Sequence, residues 1–122
     1  MGSNLLSAAY AFNLVCTYTQ SSINSEVLKD NVNPYPVVYR LDLNERKYCE
    51  ENCEEIRSIK SIDRNFIYLE YAENTELSTI RVLKLNRVSG KIQNVIAIGS
   101  RIDQHFGVCE RRAFSGFPRS KF

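Results

Sequence analysis

Apolar and polar residues alternate with a period of two along much of this chain, and this pattern constrains the fold more than any other feature. One parity of the first segment carries only apolar side chains: Phe12, Leu14, Cys16 and Tyr18. Residues 37–43 repeat the pattern most clearly. Successive side chains of a strand point to opposite faces, so such alternation predicts half-buried β-strands. Helical periodicity is nearly absent, and the sequence therefore predicts an all-β protein.

Turn signals divide the chain into seven or eight short strands. Residues 44–46, 63–65, 73–76 and 99–101 have turn composition, and Ser89-Gly90 permits the positive φ of a tight hairpin at residues 86–91. The polar stretch 21–33 is predicted to be a loop or to hold a short helix around Glu26 to Lys29. Gly107 interrupts the alternation near the end of the chain, which suggests a β-bulge.

So many strands in 122 residues form a sheet that must curl. We predict an antiparallel meander that closes into a small up-and-down β-barrel, and the alternative is a β-sandwich. Closure also removes the exposed sheet edges that promote aggregation.

The chain is predicted to form one β domain over residues 12–122, preceded by a non-domain segment over residues 1–11. Met1-Gly2-Ser3 has the composition of a cloning remnant. Residues 5–11 resemble the end of a signal peptide, and cleavage after Ala9-Tyr10-Ala11 would leave Phe12 first. The alternative is an ordinary first strand with an apolar lead-in. The apolar run is far shorter than the roughly 20 residues of a membrane-spanning helix, so no membrane-spanning segment is predicted.

Four cysteines bear on both the fold and the compartment. An even number in a short, exported chain predicts two disulfides. Cys49 and Cys53 can meet in a local turn, which leaves Cys16 to pair with Cys109. The alternative is a zinc site, but Cys49 and Cys53 supply only half of one and no second close pair exists. We therefore predict disulfides Cys16–Cys109 and Cys49–Cys53, no metal, no cofactor and a periplasmic or secreted location.

Composition and charge exclude some classes of protein. The content of 43% hydrophobic and 25% charged residues is that of a folded globular domain. A net charge of +2 does not indicate a nucleic-acid-binding protein. Residues 1–61 hold six Lys/Arg and eight Asp/Glu, whereas residues 62–122 hold ten and six. The basic second half favours an acidic partner, and the alternative is an ordinary solvated surface.

Two features of the sequence are candidates for a catalytic or a metal site. His105 is the single histidine, and it is a candidate general base for a small hydrolase. No serine or aspartate signature surrounds it, so a surface or structural histidine is the preferred interpretation. The cluster Glu50, Glu51, Glu54 and Glu55 offers carboxylates for calcium but lacks the spacing and the glycine of a calcium loop, which favours a solvated acidic loop. The sequence predicts no catalytic residue.

The C-terminal tail, residues 111–122, mixes cations with aromatic rings. Its candidate binding residues are Arg111, Arg112, Phe114, Phe117 and Arg119. Such a mixture can grip anionic ligands, stack on rings or dock on a protein. The alternative, which we prefer, is that Phe114 and Phe117 plug the end of the barrel while the charges stay in water.

Several segments together carry a resemblance: Tyr39-Arg40-Leu41-Asp42-Leu43, Tyr48-Cys49 with Cys53, Asn86-Arg87-Val88-Ser89-Gly90, Gly107-Val108-Cys109-Glu110 and Phe114-Ser115-Gly116-Phe117-Pro118 with the ending Lys121-Phe122. The chain from Phe12 onward resembles a group of short exported proteins of unknown function from alphaproteobacteria. Ser89-Gly90 departs mildly from the Thr-Gly of that group. The resemblance implies export and a shared fold, and it implies no activity.

Three functions follow as hypotheses. The leading one is a non-enzymatic periplasmic or secreted module that binds a small apolar or anionic ligand or another protein, such as an envelope protein. The second is a small hydrolase that uses His105. The third is a structural or envelope-interaction protein that acts through its basic, aromatic tail.

Overall fold

The computed structural model describes residues 10–28 and 35–118. Ten strands account for most of them: β1 (Ala11–Ile23), β2 (Glu26–Leu28), β3 (Val37–Asp42), β4 (Lys47–Glu50), β5 (Arg57–Ser58), β6 (Ser61–Ile62), β7 (Phe66–Asn74), β8 (Thr79–Asn86), β9 (Lys91–Ile98) and β10 (Arg101–Ala113). No helix in these two ranges is long and apolar enough to cross a membrane.

The strands form one antiparallel sheet in the order β5-β4-β3-β1-β10-β9-β8-β7-β6, with β2 paired to β1. Apart from the side hairpin of β2, neighbours in space are neighbours in sequence, and the first long strand pairs with the last. The predicted all-β antiparallel meander is therefore confirmed. The sheet curls into a half-barrel, and the alternative of a sandwich is not observed.

One extended segment, residues 57–62, joins the two edges of the sheet. Its first half, β5, pairs with β4, and its second half, β6, pairs with β7. Between them the Ile59 amide donates to the carbonyl of Arg46 and the Lys60 amide to that of Tyr68, each at 2.9 Å. Ile59 thus hydrogen-bonds toward the β4 edge and Lys60 toward the β7 edge, as successive residues of a central strand do. The curl is continuous here, but the strand pairing with each edge is only two residues long.

The inside of the curl is filled by large apolar side chains. They come from every long strand except β10: Phe12, Leu14, Tyr18, Tyr39, Leu41, Tyr48, Ile67, Leu69, Leu83, Leu85 and Ile92. The two alternating patterns predicted for residues 12–18 and 37–43 supply the inward faces of β1 and β3. Burial of each such side chain contributes about 1.5–3 kcal/mol, so this filled interior is the main source of stability.

Both predicted disulfides are present. Cys16–Cys109 joins β1 to β10, and Cys49–Cys53 closes a short loop after β4. No cysteine of the chain is left free. We name residues 49–55, which hold four glutamates, the acidic knuckle.

Several local expectations need correction. Glu26–Leu28 is neither loop nor helix but a short strand that pairs with the end of β1. The bulge near Gly107 lies on β1, where Thr19 has no partner, and not on β10. Gly107 is required for another reason: a Cβ atom there would lie 2.4 Å from the carbonyl oxygen of Thr17.

The segment 1–11 falls largely outside the described residues. β1 begins at Ala11, and Tyr10 accepts a hydrogen bond from the amide of Leu43. The signal-peptide remnant and the cleavage before Phe12 stay predictions.

Candidate functional site

A polar cleft of about 350 Å³ opens on the side of the half-barrel, where the β4–β5 edge faces β7. We call it the slit. Residues 57–62 pair with β7 only at Ile67 and Tyr68, and the slit lies beside the part of β7 that follows. Its charged side chains come from three places in the sequence: Arg57 and Lys60 from residues 57–62, Glu70 from β7 and Arg81 from β8.

Glu70 lies between two arginines at the centre of the slit. Its carboxylate is 3.7 Å from a guanidinium nitrogen of Arg57 and 3.4 Å from Nε of Arg81. The side chain of Glu70 is 22% exposed, so these charges are partly withdrawn from water. Glu70 Oε2 and Arg81 Nε are nevertheless buried atoms without a hydrogen bond to any described residue. Buried polar atoms are normally hydrogen-bonded, so the centre of the slit retains unused hydrogen-bonding capacity.

Three buried tyrosines lie in the core of the half-barrel, and one of them, Tyr48, also lines the slit. The hydroxyls of Tyr18 and Tyr39 are hydrogen-bonded at 2.8 Å. Burial raises the pKa of Tyr39 far above its ordinary value, and burial also raises that of Tyr18 despite the hydrogen bond. Burial raises the pKa of Tyr48 as well, opposed by a hydrogen bond from Arg57. All three hydroxyls therefore stay protonated at neutral pH and act as uncharged hydrogen-bonding groups.

His105 has a partner that sequence reasoning missed. Its Nδ1 atom shares a 2.8 Å hydrogen bond with Oγ of Ser21, which lies directly opposite on β1. Asn94 lies opposite on the other side, on β9, and its Oδ1 is buried without a hydrogen bond to a described residue. The Ser21–His105 pair resembles a serine nucleophile with a histidine base. However, Ser21 is only 2% exposed, which closes its hydroxyl to a substrate.

The tail residues do not enter the core. Phe114 and Phe117 stack edge to face with ring centres 5.3 Å apart, and neither belongs to the core cluster. The expected plug at the end of the barrel is therefore wrong. The tail is instead tied to outward-facing side chains, because Asn13 exchanges two hydrogen bonds with Ser115 and Arg40 donates to the carbonyl of Gly116 at 3.0 Å.

The two tail cations that the structure describes, Arg111 and Arg112, also have contacts within the chain. The guanidinium of Arg111 lies 4.7 Å from the ring centre of Phe12. Arg112 forms an ion pair with Glu110 and donates to the carbonyl of Arg111. Arg119 lies outside the described residues. The other four predicted tail residues each have a contact within the chain, and their role in binding stays a prediction.

The acidic knuckle lines a second cleft, of about 330 Å³, that shares Tyr48 and Arg57 with the slit. Its glutamates do not converge, and no group of three or more His, Cys, Asp or Glu side chains in the described parts of the chain is arranged to hold a metal. Arg40 on β3 contacts the knuckle, since it donates a hydrogen bond to the carbonyl of Glu51 at 3.3 Å. One side chain thus holds both the knuckle and the tail.

The slit itself was missed at the level of sequence. Arg57, Glu70 and Arg81 are far apart in the chain and belong to no local motif. The one available signal was a carboxylate beside the apolar residues of β7, and a strict period of two assigns Glu70 to the outer face.

Comparisons with known protein families, with curated proteins and with solved structures found no match to this chain.

Proposed function

We propose that this protein is an exported, non-enzymatic binding module that recognises carboxylate groups of a ligand or partner protein through the slit. Export is supported by the two disulfides, which persist in oxidising compartments, and by the resemblance to exported proteins. The filled interior directs binding to the surface, since apolar side chains already occupy the inside of the curl.

The arrangement of Arg81 carries the proposal. Its Nε is buried without a hydrogen bond to a described residue, although Glu70 lies 3.4 Å away. Leaving such a donor unsatisfied costs about 1–3 kcal/mol, and arginine binds carboxylates through paired N–H groups. The Arg81 side chain as a whole is 42% exposed, so a carboxylate entering the slit would meet the exposed part of its guanidinium together with Arg57 and Lys60.

Titration with poly-L-glutamate tests the proposal. The double variant Arg57→Gln/Arg81→Gln should bind at least about tenfold more weakly than the wild type, because one lost charge-assisted hydrogen bond costs about 1.5–3 kcal/mol. The matched control is Arg101→Gln/Arg112→Gln, which removes the same charge from ion pairs outside the slit. Equal weakening in both variants would show attraction by net charge alone and would refute the proposal.

The Ser21–His105 hydrogen bond favours hydrolysis as a second candidate. Burial of Ser21 opposes it. With an activated aryl ester as probe, the wild type should turn over no faster than Ser21→Ala or His105→Gln. Turnover that is lost in both variants would establish the hydrolase instead.

A further inference from the structure

β7 has hydrogen-bonded neighbours on both sides only near its start. It pairs with β8 from Phe66 to Asn74, whereas β6 pairs with it only at Ile67 and Tyr68. From Glu70 onward, one edge of β7 faces the slit without a paired strand in the parts of the chain that the structure describes. Such an edge presents a row of N–H and C=O groups with which another strand can pair.

The alternation of the ladder identifies these groups. The carbonyl of Tyr68 accepts from the Lys60 amide, so the backbone of Tyr68 faces away from β8. Leu69 is the extra residue at the register shift, and Glu70 pairs with Leu83 after it. The backbone of Glu70 therefore faces β8, as does that of Ala72, and the backbone groups of Tyr71 and Glu73 face the free edge.

Side chains beside this edge favour an acidic occupant. Ala72 lies opposite Arg81, so a residue paired with Ala72 from the free edge projects to the same face as Arg81. The short side chain of Ala72 leaves the space between them open. Arg57 and Lys60 line the same slit as Arg81. Among the described residues, only two carboxylates, those of Glu55 and Glu70, form ion pairs with these three cations.

We propose that the free edge of β7 docks an extended segment of a partner protein that carries an acidic side chain opposite Ala72. Backbone hydrogen bonds to Tyr71 and Glu73 provide the affinity, and Arg81 and Arg57 provide the preference for the acid. The inference rests on the proposed function, because it uses the same slit. A second copy of this chain, docking through its own β7, fits less well. The acidic side chain on the same face of that strand is Glu70, and its carboxylate is already held by two arginines of its own chain.

The probe is a short capped peptide of alternating threonine and glutamate. When it binds, hydrogen exchange of the Tyr71 and Glu73 amides should slow by about tenfold or more, while that of Ala72, already bonded to β8, should not change. Two N-methylated forms provide the sharper comparison. In an antiparallel pairing, which all neighbouring strands of this sheet share, the glutamate opposite Ala72 turns its N–H away from β7 and the threonines turn theirs toward it. N-methyl-threonine should therefore abolish binding, and N-methyl-glutamate should preserve it.

A protein variant complements the peptides. Tyr71→Pro removes one N–H from the free edge and no bond to β8, so the variant should fold and lose the peptide. If this variant does not fold, the N-methylated peptides decide the question with the wild-type protein.

The outcomes separate the two proposals. Equal binding of both N-methylated peptides, lost in Arg57→Gln/Arg81→Gln, would overturn strand addition and leave carboxylate recognition standing. Discrimination between the peptides that survives in that double variant would support strand addition and overturn the role of the slit cations. Strand addition also fails if the wild type does not bind the unmethylated peptide. Protected Tyr71 and Glu73 amides in the free monomer, or a dimer by sedimentation, would overturn it too, because the chain itself or a second copy would then occupy the edge.

Discussion

Cys16 lies directly opposite Cys109 in the β1–β10 ladder, and their disulfide joins residues 93 positions apart with a Cα–Cα distance of 3.9 Å. Facing residues of a non-hydrogen-bonded antiparallel pair have Cα atoms about 4.5 Å apart, so the ladder itself brings the two side chains together. The bridge lies in the core and links the first and last long strands of the half-barrel.

Removing this bridge should destabilise the protein much more than removing the bridge of the knuckle. The chain-entropy model assigns about 4–5 kcal/mol to a loop of this length and about 2 kcal/mol to the short loop between Cys49 and Cys53. Urea unfolding of Cys16→Ala/Cys109→Ala and of Cys49→Ala/Cys53→Ala measures both losses. A similar loss in the two variants would show that closure of the long loop is not the main contribution.

Gly107→Ala should be strongly destabilising. A Cβ atom at Gly107 would lie 2.4 Å from the Thr17 carbonyl oxygen and 2.8 Å from Cα of Tyr18, and both are backbone atoms that cannot move independently of β1. We expect a loss of about 3 kcal/mol in the free energy of unfolding, within the range of overpacked sites. Gly99→Ala is the control: no atom lies within 4 Å of the added Cβ, and only its positive φ is unfavourable, at about 1 kcal/mol. Equal effects would mean that β1 and β10 are less closely packed at Gly107 than described.

Arg40→Lys should release the tail without unfolding the half-barrel. Arg40 bridges the carbonyls of Gly116 and Glu51, and a single ammonium group does not reproduce the two directed bonds of a guanidinium. Amides of residues 114–117 should exchange faster in the variant, while those of β8 and β9 keep their rates. Asn13→Ala, which removes the two bonds to Ser115, should produce the same pattern. Unchanged exchange at the tail in both variants would show that other contacts hold it.

Stability should fall in acid partly through Asp63. The amides of Phe66 and Asn65 donate to its carboxylate at 2.7 and 2.8 Å, and these bonds lower its pKa. The unfolded chain therefore takes up the proton first: the contribution is complete above the unfolded value of about 3.9 and is lost as pH falls through the lower folded value. Asp63→Asn should flatten the stability curve in that window, measured by urea unfolding at several pH values. Glu76→Gln, in another turn, supplies the reference, and a curve of unchanged slope in Asp63→Asn would contradict the assignment.

Much of the fold was predictable because its determinants are local. The alternation of residues 12–18 and 37–43 places their apolar side chains on one face whatever the neighbouring strands are. The pairing of the cysteines was predictable because Cys49 and Cys53 are close enough for a local loop. The short strand at Glu26–Leu28 was not, since its composition is polar and only its pairing with the end of β1 makes it a strand.

Both polar sites depend on β-bulges that local patterns do not reveal. The extra residue Thr19 shifts the parity of β1, so that Ser21 joins the face of Tyr18 and meets His105. The extra residue Leu69 does the same in β7, so that Glu70 turns inward to Arg81. A bulge changes which side chains face inward without changing the composition of the strand.

The sequence by itself determined that this chain is an antiparallel meander with an apolar inner face and two disulfides, because alternation and cysteine spacing act over a few residues or through a single remaining pair. Only the tertiary structure decided which charged side chains lie together in the slit. The slit combines Arg57, Glu70 and Arg81 from three strands. Its position depends on the length over which residues 57–62 pair with β7, and the side chains that face it depend on which residue of β7 is left unpaired at the bulge. Those are properties of strand registers, and registers are set by the packing of the whole sheet.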